Sequence, residues 1–254
     1  ICYSSKKSPF TLSMESKAKK FFLVFPVHLF KNIETLKKYD QIHLIEEATY
    51  FTKFNFHKLK LMYHRASMQF YYDYLKANKC KLVYHEHDES IEEILRDIKG
   101  QSKDSKVGFY DPVDHDLKKK LISACKTNKL DFDIYDNRQF LCTEKDLAQY
   151  IVDAEAIDKK KKYTHDSSFY RWQRRRLNIL MGKNGKDPAQ WTYDHDNRKP
   201  YDGKARVPAP PKPIDNEYAV EAKEYVEKHF KKNIGKTGHF VYPFEFDSVD
   251  KWLQ

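Results

Sequence analysis

Glycine is scarce in this chain, with 7 residues among 254. The turn after the first apolar run reads FPVHLF and lacks the G-x-G-x-x-G pattern that lets a backbone approach a pyrophosphate. Gly235-Lys236-Thr237 is similar to the end of a Walker A loop. The glycine needed five positions earlier is Phe230, however, and no strand precedes it, so we predict a helix-terminating turn. The sequence therefore lacks both common nucleotide-phosphate motifs.

Long apolar runs are absent as well. The longest, FFLVF at residues 21–25, has the length of a buried strand and falls far short of the roughly 18 residues that a membrane span requires. The first residues carry Ser and Lys where a signal peptide needs an apolar core, and the chain opens on Ile1. We expect no membrane partner and a disordered extension over residues 1–19. The sequence is then either truncated upstream or translated from Met14.

Cysteine is sparse and never forms C-x-x-C, which excludes zinc-ribbon, redox-dithiol and iron–sulfur sites built from such pairs. We predict core thiols in a reducing compartment, and therefore an intracellular protein of the cytoplasm, nucleoid or nucleus. No G-x-S-x-G or H-E-x-x-H pattern marks hydrolytic chemistry. The four cysteines are Cys2, Cys80, Cys125 and Cys142.

One short segment, His85-Glu86-His87-Asp88, does place four metal-capable side chains in a row. Alternate residues of a strand point to opposite faces, so the two imidazoles could converge. No second cluster at suitable spacing accompanies them. We therefore interpret the segment as a solvated strand end and predict no metal site.

What the sequence does contain is an alternation of β-rich apolar runs and helical patterns, typical of repeated βαβ units. We predict an α/β fold with a Rossmann-like, doubly wound, parallel five-stranded sheet over residues 20–138. Ligands of such sheets bind beyond the carboxyl ends of the strands, here after Phe25, Ile45 and Glu86. The predicted strands are residues 21–25, 41–45, 81–86, 106–110 and 131–135, and the predicted helices between them are residues 32–38, 56–79, 90–99 and 114–128.

After residue 138 the rhythm changes. Residues 139–182 predict a helix capped by Thr143 and a second helix at 169–181, stopped by Gly182. Residues 183–214 are rich in Pro, Gly and Asp and predict an extended linker. A helix near 216–232 then predicts the start of a further helical domain, truncated in this chain, over residues 215–254.

Positive charge is concentrated in one stretch. The chain has 47 Lys+Arg against 37 Asp+Glu, a net charge of +10, and residues 158–176 hold eight basic side chains against two acids. Aromatic residues are interleaved with them, which suits phosphate and base contacts. A solvated helix face explains the same pattern, so both interpretations stay open. The candidate nucleic-acid-binding residues are Arg171, Arg174, Arg175 and Arg176.

Residues 46–68 have a more specific pattern, an acidic E-A-x-Y turn followed by H-K-x-K-L-x-x-x-R-x-S-M. Two further stretches match in order and spacing: RQFLCTEKDL at 138–147, and SFYRWQRRRLNILM with QWTYDHDNRKPY up to residue 201. Together they resemble the prokaryotic photolyase/cryptochrome-related family of iron–sulfur bacterial cryptochromes and (6-4) photolyases. The resemblance covers roughly residues 21–246. The residues matched in the first stretch are Glu47, Ala48, Tyr50, His57, Lys58, Lys60, Leu61, Arg65, Ser67 and Met68.

The resemblance implies an antenna domain that binds a ribityl-lumazine chromophore, followed by a helical domain that binds FAD and an iron–sulfur cluster. In that family, light energy passes from the antenna to reduced FAD, which repairs a pyrimidine lesion in DNA. The flavin and cluster residues would lie beyond Gln254, in a missing or separate C-terminal domain. We therefore predict no catalytic residue in this chain, no repair activity by it alone, and DNA as a partner of the complete protein.

Carried over by motif, the resemblance places the chromophore wall at Glu47, Tyr50 and His64. The family's first strand ends in G-D-Q-L, whereas this chain has Phe25 to Leu29, FPVHL, which removes a close backbone approach and a carboxylate. The structural alternative for Glu47 and Tyr50 is a capped turn with a half-buried tyrosine. The predicted cofactor-binding residues are Pro26, Val27, His28, Glu47, Tyr50, His57, Lys60 and His64.

Two alternatives to an antenna domain stay open at this point. The first is a non-enzymatic nucleic-acid-binding or scaffold module that kept the fold and uses the arginine-rich face. The second is a small-molecule-binding protein that reuses the pocket, reshaped by His28 and the Phe25-Pro26 pair.

Overall fold

A five-stranded parallel sheet forms the centre of the computed structural model, which describes residues 18–253 apart from 103, 158–166, 202, 205–211 and 213. The strand order is β3-β2-β1-β4-β5, so the order reverses between β1 and β4. The predicted α/β fold is confirmed. The strands are β1 (Lys20–Val24), β2 (Gln41–Ile45), β3 (Leu82–His85), β4 (Lys106–Tyr110) and β5 (Asp131–Tyr135).

Several helices begin directly after a residue whose side chain caps the helix N-terminus. Ser90 and Glu93 form a reciprocal capping box, and Asp114 and Asn216 cap two further helices. Short 3-10 turns lie at Leu36–Lys38, Lys183–Gly185 and Asp196–Arg198. The helices are α1 (Ala48–Phe51), α2 (Lys58–Ala77), α3 (Ile91–Gln101), α4 (His115–Thr127), α5 (Glu144–Ile157), α6 (Ser167–Leu177), α7 (Glu217–His229) and α8 (Phe246–Leu253).

Two helix predictions need correction, and two short helices were not predicted. The helix expected at residues 32–38 is only the 3-10 turn Leu36–Lys38, and α6 ends at Leu177 rather than at residue 181. Asn178 and Leu180 adopt positive φ angles of 52° and 50°, which end the helix earlier. α1 and α8 were not predicted, because four and eight residues carry too short a pattern.

Side chains of the sheet alternate between two cores. Phe22 and Val24 of β1 pack with residues of α2 and α7 on one face. Phe21 and Leu23 pack with residues of α3 and α4 on the other. This alternation is the two-residue period of a strand buried on both sides.

The contacts divide the chain into two compact units, which we name the α/β unit and the helical unit. The α/β unit comprises the described residues within 1–137 and 211–254, and the helical unit those within 138–210. The C-terminal residues predicted to begin another domain thus pack with the sheet, where α7 lies against α2. The division predicted at residue 215 differs from these contacts because residues distant in sequence meet here.

Several predictions fall outside the described residues: most of the extension at 1–19, the lysines 159–162, and most of the proline-rich part of the linker. In the part of the chain that the structure describes, no helix combines the length and the apolar character needed to cross a bilayer.

Candidate functional site

The end of β1 forms a tight turn at the point where the strand order reverses. The His28 backbone N–H donates to the Phe25 carbonyl at 2.8 Å, and Phe25, Pro26 and His28 are buried while Val27 is half-buried. The His28 Nε2 donates to the carbonyl of Asp111, beyond β4, at 3.2 Å, and Asn137 Nδ2 donates to the same oxygen at 2.9 Å. His28 therefore bridges β1 and β4 and fills the crevice between them.

Burial determines the charge of His28. It lowers the pKa of the imidazole to about 4, although the Asp111 carbonyl partly offsets this effect. The ring is neutral at pH 7 and packs edge-on against Phe25 and Tyr110, with centroids 5.8 and 5.7 Å away. Of the predicted residues of the β1 turn, Pro26 and His28 are thus buried, Val27 is half-buried, and chromophore binding by them stays a prediction.

The end of β2 carries Glu47, which is buried at 3% exposure and caps α1. Its Oε2 accepts a hydrogen bond from the Thr49 backbone N–H at 2.6 Å, and its Oε1 lies 3.2 Å from the Lys120 ammonium of α4. Both carboxylate oxygens are thus engaged within the protein. The capped turn, which was the alternative interpretation, describes Glu47.

Tyr50 and His64 meet next to this turn. Their ring centroids are 6.1 Å apart in an edge arrangement, and Phe51 lies 5.9 Å from the His64 ring. Burial, with the negative charges of Asp114 and Glu47, raises the pKa of the Tyr50 phenol, which therefore stays protonated. Two of the three predicted wall residues thus face each other beside Glu47.

The His64 imidazole has one nitrogen without a partner. Its Nε2 is buried and forms no hydrogen bond with the described residues. Burial, together with the positive charge of Lys60 one turn earlier, lowers the pKa of His64 to about 4. The buried His28 Nδ1 and His43 Nε2 also lack a hydrogen-bond partner among the described residues, and His64 differs in that its ring meets Tyr50. A buried nitrogen of this kind is one that a polar partner would satisfy.

His57 and Lys60 do not join Tyr50 and His64. The His57 Nδ1 accepts the Leu59 backbone N–H at 3.1 Å and so caps α2, while its ring fills the space above Gly235. The Lys60 ammonium lies 3.9 Å from the centroid of the Phe56 ring. These two predicted residues instead face the segment that follows α7.

A buried ionic cluster next to the end of β2 was not predicted from the sequence. Arg65 donates to Glu46 at 2.9 Å and, through two nitrogens, to Glu221 of α7 at 2.7 to 3.2 Å. Glu46 also accepts from Tyr84 at 2.8 Å and from Tyr225 at 2.7 Å. Arg65 and Glu46 lie in the family-like segment, but no local pattern indicates Glu221, which is 156 residues away.

Two histidines of the predicted strand-end cluster have separate partners. The His85 Nε2 lies 2.8 Å from the Nδ1 of buried His43, and its Nδ1 lies 2.7 Å from Glu89. The His87 Nδ1 is 2.5 Å from the Tyr225 hydroxyl. Within the described residues, no group of three or more His, Cys, Asp or Glu could hold a metal ion.

The arginines of the helical unit make internal contacts. Arg174 is buried, and its guanidinium donates to the carbonyls of Ile179, Leu180 and Trp191. Two others form ion pairs at 2.9 Å, Arg175 with Asp187 and Arg176 with Asp146. Arg171 remains exposed and lies over the Trp191 ring, 5.3 Å from its centroid. Nucleic-acid binding by these four residues stays a prediction.

The family model of deoxyribodipyrimidine photo-lyase-related proteins matches residues 22–242. This chain belongs to that family. It is 28% identical over 188 residues to an uncharacterized protein of Acanthamoeba polyphaga mimivirus, covering 71% of this chain and 94% of the viral protein. It is 23% identical over 214 residues to a (6-4) photolyase of Agrobacterium fabrum, covering 81% of this chain and 40% of that relative.

Two photolyases with solved structures are also similar to this chain. A bacterial class III photolyase from Agrobacterium tumefaciens gives a TM-score of 0.39 at 17% identity, over 53% of this chain and 28% of that one. An archaeal photolyase from Sulfolobus tokodaii, solved with two FAD molecules, gives a TM-score of 0.37 at 14% identity, over 57% and 36% of the two chains. This chain spans less than half the length of the photolyases that it matches.

The residues at the sheet edge fit an antenna chromophore in part. The β1 turn fits less well, because Phe25 and His28 are buried, although the His28 Nδ1 also lacks a hydrogen-bond partner among the described residues. The β2 end does fit, because the unsatisfied His64 Nε2 and the half-buried Tyr50 offer a hydrogen bond and an aromatic surface. A ring compound at this edge would therefore be held from the β2 side.

Proposed function

We propose that the α/β unit is an antenna-type domain that binds a flat aromatic chromophore of the ribityl-lumazine class at the end of β2. The observation that carries this proposal is the buried, unsatisfied Nε2 of His64 beside Tyr50. Such an atom costs about 1–3 kcal/mol unless a partner satisfies it. A ligand donor or acceptor at this point would supply that partner.

Each residue near the β2 end has a separate part in this proposal. Tyr50 would pack on the heterocycle, and His64 would bind a polar ring atom or a ribityl hydroxyl. Glu47 acts indirectly, since its two oxygens hold the Thr49 backbone N–H and the Lys120 ammonium and so fix the turn that carries Tyr50. The bound chromophore would supply absorption in the near ultraviolet or blue.

Repair of DNA belongs to the longer members of the family in this proposal. The (6-4) photolyase relative is matched over 40% of its length, and we place the FAD and iron–sulfur sites in a further domain or a separate chain. The viral relative aligns with 71% of this chain over 94% of its own length.

The test is a titration of the purified chain with ribityl-lumazine, followed by absorption and fluorescence. We expect saturable binding at one site per chain. Binding should weaken at least tenfold in His64→Leu and Tyr50→Leu and stay unchanged in His115→Leu, a surface control on α4. A wild-type chain that leaves the lumazine spectrum unchanged would refute the antenna proposal.

One observation favours a second candidate, contact with DNA through the helical unit. Arg171 is exposed at the surface of α6 and stacks over Trp191, a pairing that suits a phosphate next to a base. Binding to an oligonucleotide should weaken steeply with salt, and Arg171→Gln should lower the salt slope by about 1. Lys145→Gln on α5 is the control, and an equal effect of both variants would exclude Arg171 as a specific contact.

A further inference from the structure

A groove of about 440 Å³ runs along α2 in the α/β unit, and neither Tyr50 nor His64 is among its lining residues. Residues of α2 form one side, and residues 239–242, which follow α7, form the other. This volume lies within the usual range for sites that bind small molecules. Its apolar walls are Leu59, Tyr63, Phe240, Val241 and Tyr242.

The far side of the groove is held in place by hydrogen bonds. The Tyr63 hydroxyl donates to the Pro243 carbonyl at 3.0 Å, and the Ile214 backbone N–H donates to the Phe240 carbonyl at 2.9 Å. The Phe240 ring is buried and packs edge-on against Tyr63, with centroids 5.5 Å apart. The aromatic wall is therefore part of the packed core.

Lys60 gives the groove a positive charge that no carboxylate of the described residues neutralises in an ion pair. Lys60 and His239 are its polar lining residues. Within the described residues, Lys60 forms no ion pair with a carboxylate, and its ammonium contacts the Phe56 ring. Lys60 is exposed overall, although burial lowers the pKa of its ammonium. A cation at the rim of an aromatic groove favours an anionic group bound next to an apolar body.

We propose that this groove binds a small aromatic compound with a single anionic group, its ring between Tyr63 and Tyr242 and its anion at Lys60. The site is distinct from the proposed lumazine site, because Glu47, Tyr50 and His64 do not line it. It gives a separate role to Lys60, which the sequence placed with the chromophore residues.

The probes are two dyes that share one aromatic framework. 8-Anilinonaphthalene-1-sulfonate carries an anion, and N-phenyl-1-naphthylamine does not; both become fluorescent in apolar sites. We expect the folded chain to bind the sulfonate about tenfold more tightly than the neutral amine, a factor that one partly desolvated charge pair supplies. Equal affinity for both dyes would overturn the proposal.

Lys60→Met tests the cation because it keeps the apolar stem of the side chain. It should abolish the preference for the sulfonate and leave the affinity for the neutral dye unchanged. Lys58→Met, two residues earlier on α2 and outside the lining, is the matched control and should keep the preference. Val241→Trp should fill the groove and weaken both dyes. If Lys58→Met and Lys60→Met behave alike, the dye senses general charge and the proposal fails.

Two further results distinguish small-molecule binding in the groove from coverage by a second copy of the chain and from binding at the proposed lumazine site. If dye affinity falls as the protein concentration rises, a second copy of the chain covers the groove, and the small-molecule proposal is wrong. Dye binding should persist in His64→Leu, whether or not that variant binds lumazine. Loss of dye binding in His64→Leu, with its thermal unfolding unchanged, would place the dye at the sheet edge and contradict a separate groove site.

Discussion

The Tyr225 hydroxyl donates a hydrogen bond to Glu46 across a distance of 2.7 Å, joining two residues that are 179 positions apart. Glu46 follows β2 directly, and Tyr225 belongs to α7, so this contact fixes α7 beside the carboxyl edge of the sheet. The Arg65 guanidinium lies over the Tyr225 ring, 3.8 Å from its centroid, and pairs with both Glu46 and Glu221. The α/β unit is therefore completed by residues beyond the helical unit.

Tyr225→Phe should destabilise the chain by about 1–3 kcal/mol, because it removes a hydrogen bond from a fully buried carboxylate. Urea unfolding followed by circular dichroism measures the change. Tyr218→Phe is the control: its hydroxyl bonds to exposed Asp73 at 3.1 Å, and the loss should stay below about 0.5 kcal/mol. Equal losses in the two variants would show that the Tyr225–Glu46 contact adds nothing to stability.

Arg65→Met should cost about 3–5 kcal/mol, since it leaves the Glu46 charge buried without its cation. Combining it with Glu46→Gln removes that charge and should recover at least half of the loss. Glu221 and Glu86, the other partners of Arg65, are partly exposed and remain hydrated in the variants. A double variant no more stable than Arg65→Met alone would contradict the buried-charge explanation.

The free energy of unfolding should decrease as the pH is lowered, before the carboxylates begin to take up protons. Burial lowers the pKa of His28 and His64 to about 4, and burial with the nearby His85 lowers that of His43 to about 3. The unfolded chain binds these protons near pH 6.5, so the stabilisation is complete above that pH and is lost as the pH falls towards 4.

Urea unfolding between pH 7.5 and 4.5 should show a slope of up to about 1.4 kcal/mol per pH unit for each such histidine. His64→Gln should reduce the slope by the contribution of one histidine, whereas His115→Gln at the surface should not change the slope. A free energy of unfolding that stays constant from pH 7.5 to pH 5 would show that these imidazoles are not held neutral by burial.

Gly235→Ala should destabilise the chain by about 2 kcal/mol. Gly235 has a φ of +77°, and the added Cβ would collide with the His57 ring, which caps α2. Gly185→Ala is a matched control, with a φ of +72° and open space around its Cβ. The control variant therefore shows only the cost of placing alanine at a positive φ, about 1 kcal/mol. Thermal unfolding measures both variants, and equal losses of stability would contradict the contact with His57.

The sheet was predictable from the sequence because each strand is a short apolar run between helical patterns. Residues 41–45, 106–110 and 131–135 match the observed strands, and the Ser90 and Asp114 caps place the helices that follow β3 and β4. The family was also predictable, since its motifs extend over most of the chain. Helices without a periodic pattern, such as α1, could not be predicted from these rules.

The site was predictable only in part. Tyr50 and His64 meet as expected, because both lie in one contiguous motif. The contacts of Lys60 and His57 depend on residues 233–242, which pack against α2 through tertiary contacts that the sequence does not reveal. The burial of His28 likewise depends on Asp111 and Asn137, which follow other strands.

The most direct test of the antenna proposal is the ¹⁵N chemical shift of the His64 side chain, measured by NMR before and after ribityl-lumazine is added. The proposal predicts that the His64 Nε2 resonance moves on binding, because it gains a hydrogen bond, while the buried His43 resonances remain unchanged. If lumazine binds and the His64 resonances do not move, or if no binding occurs at all, the site at the end of β2 is not the chromophore site.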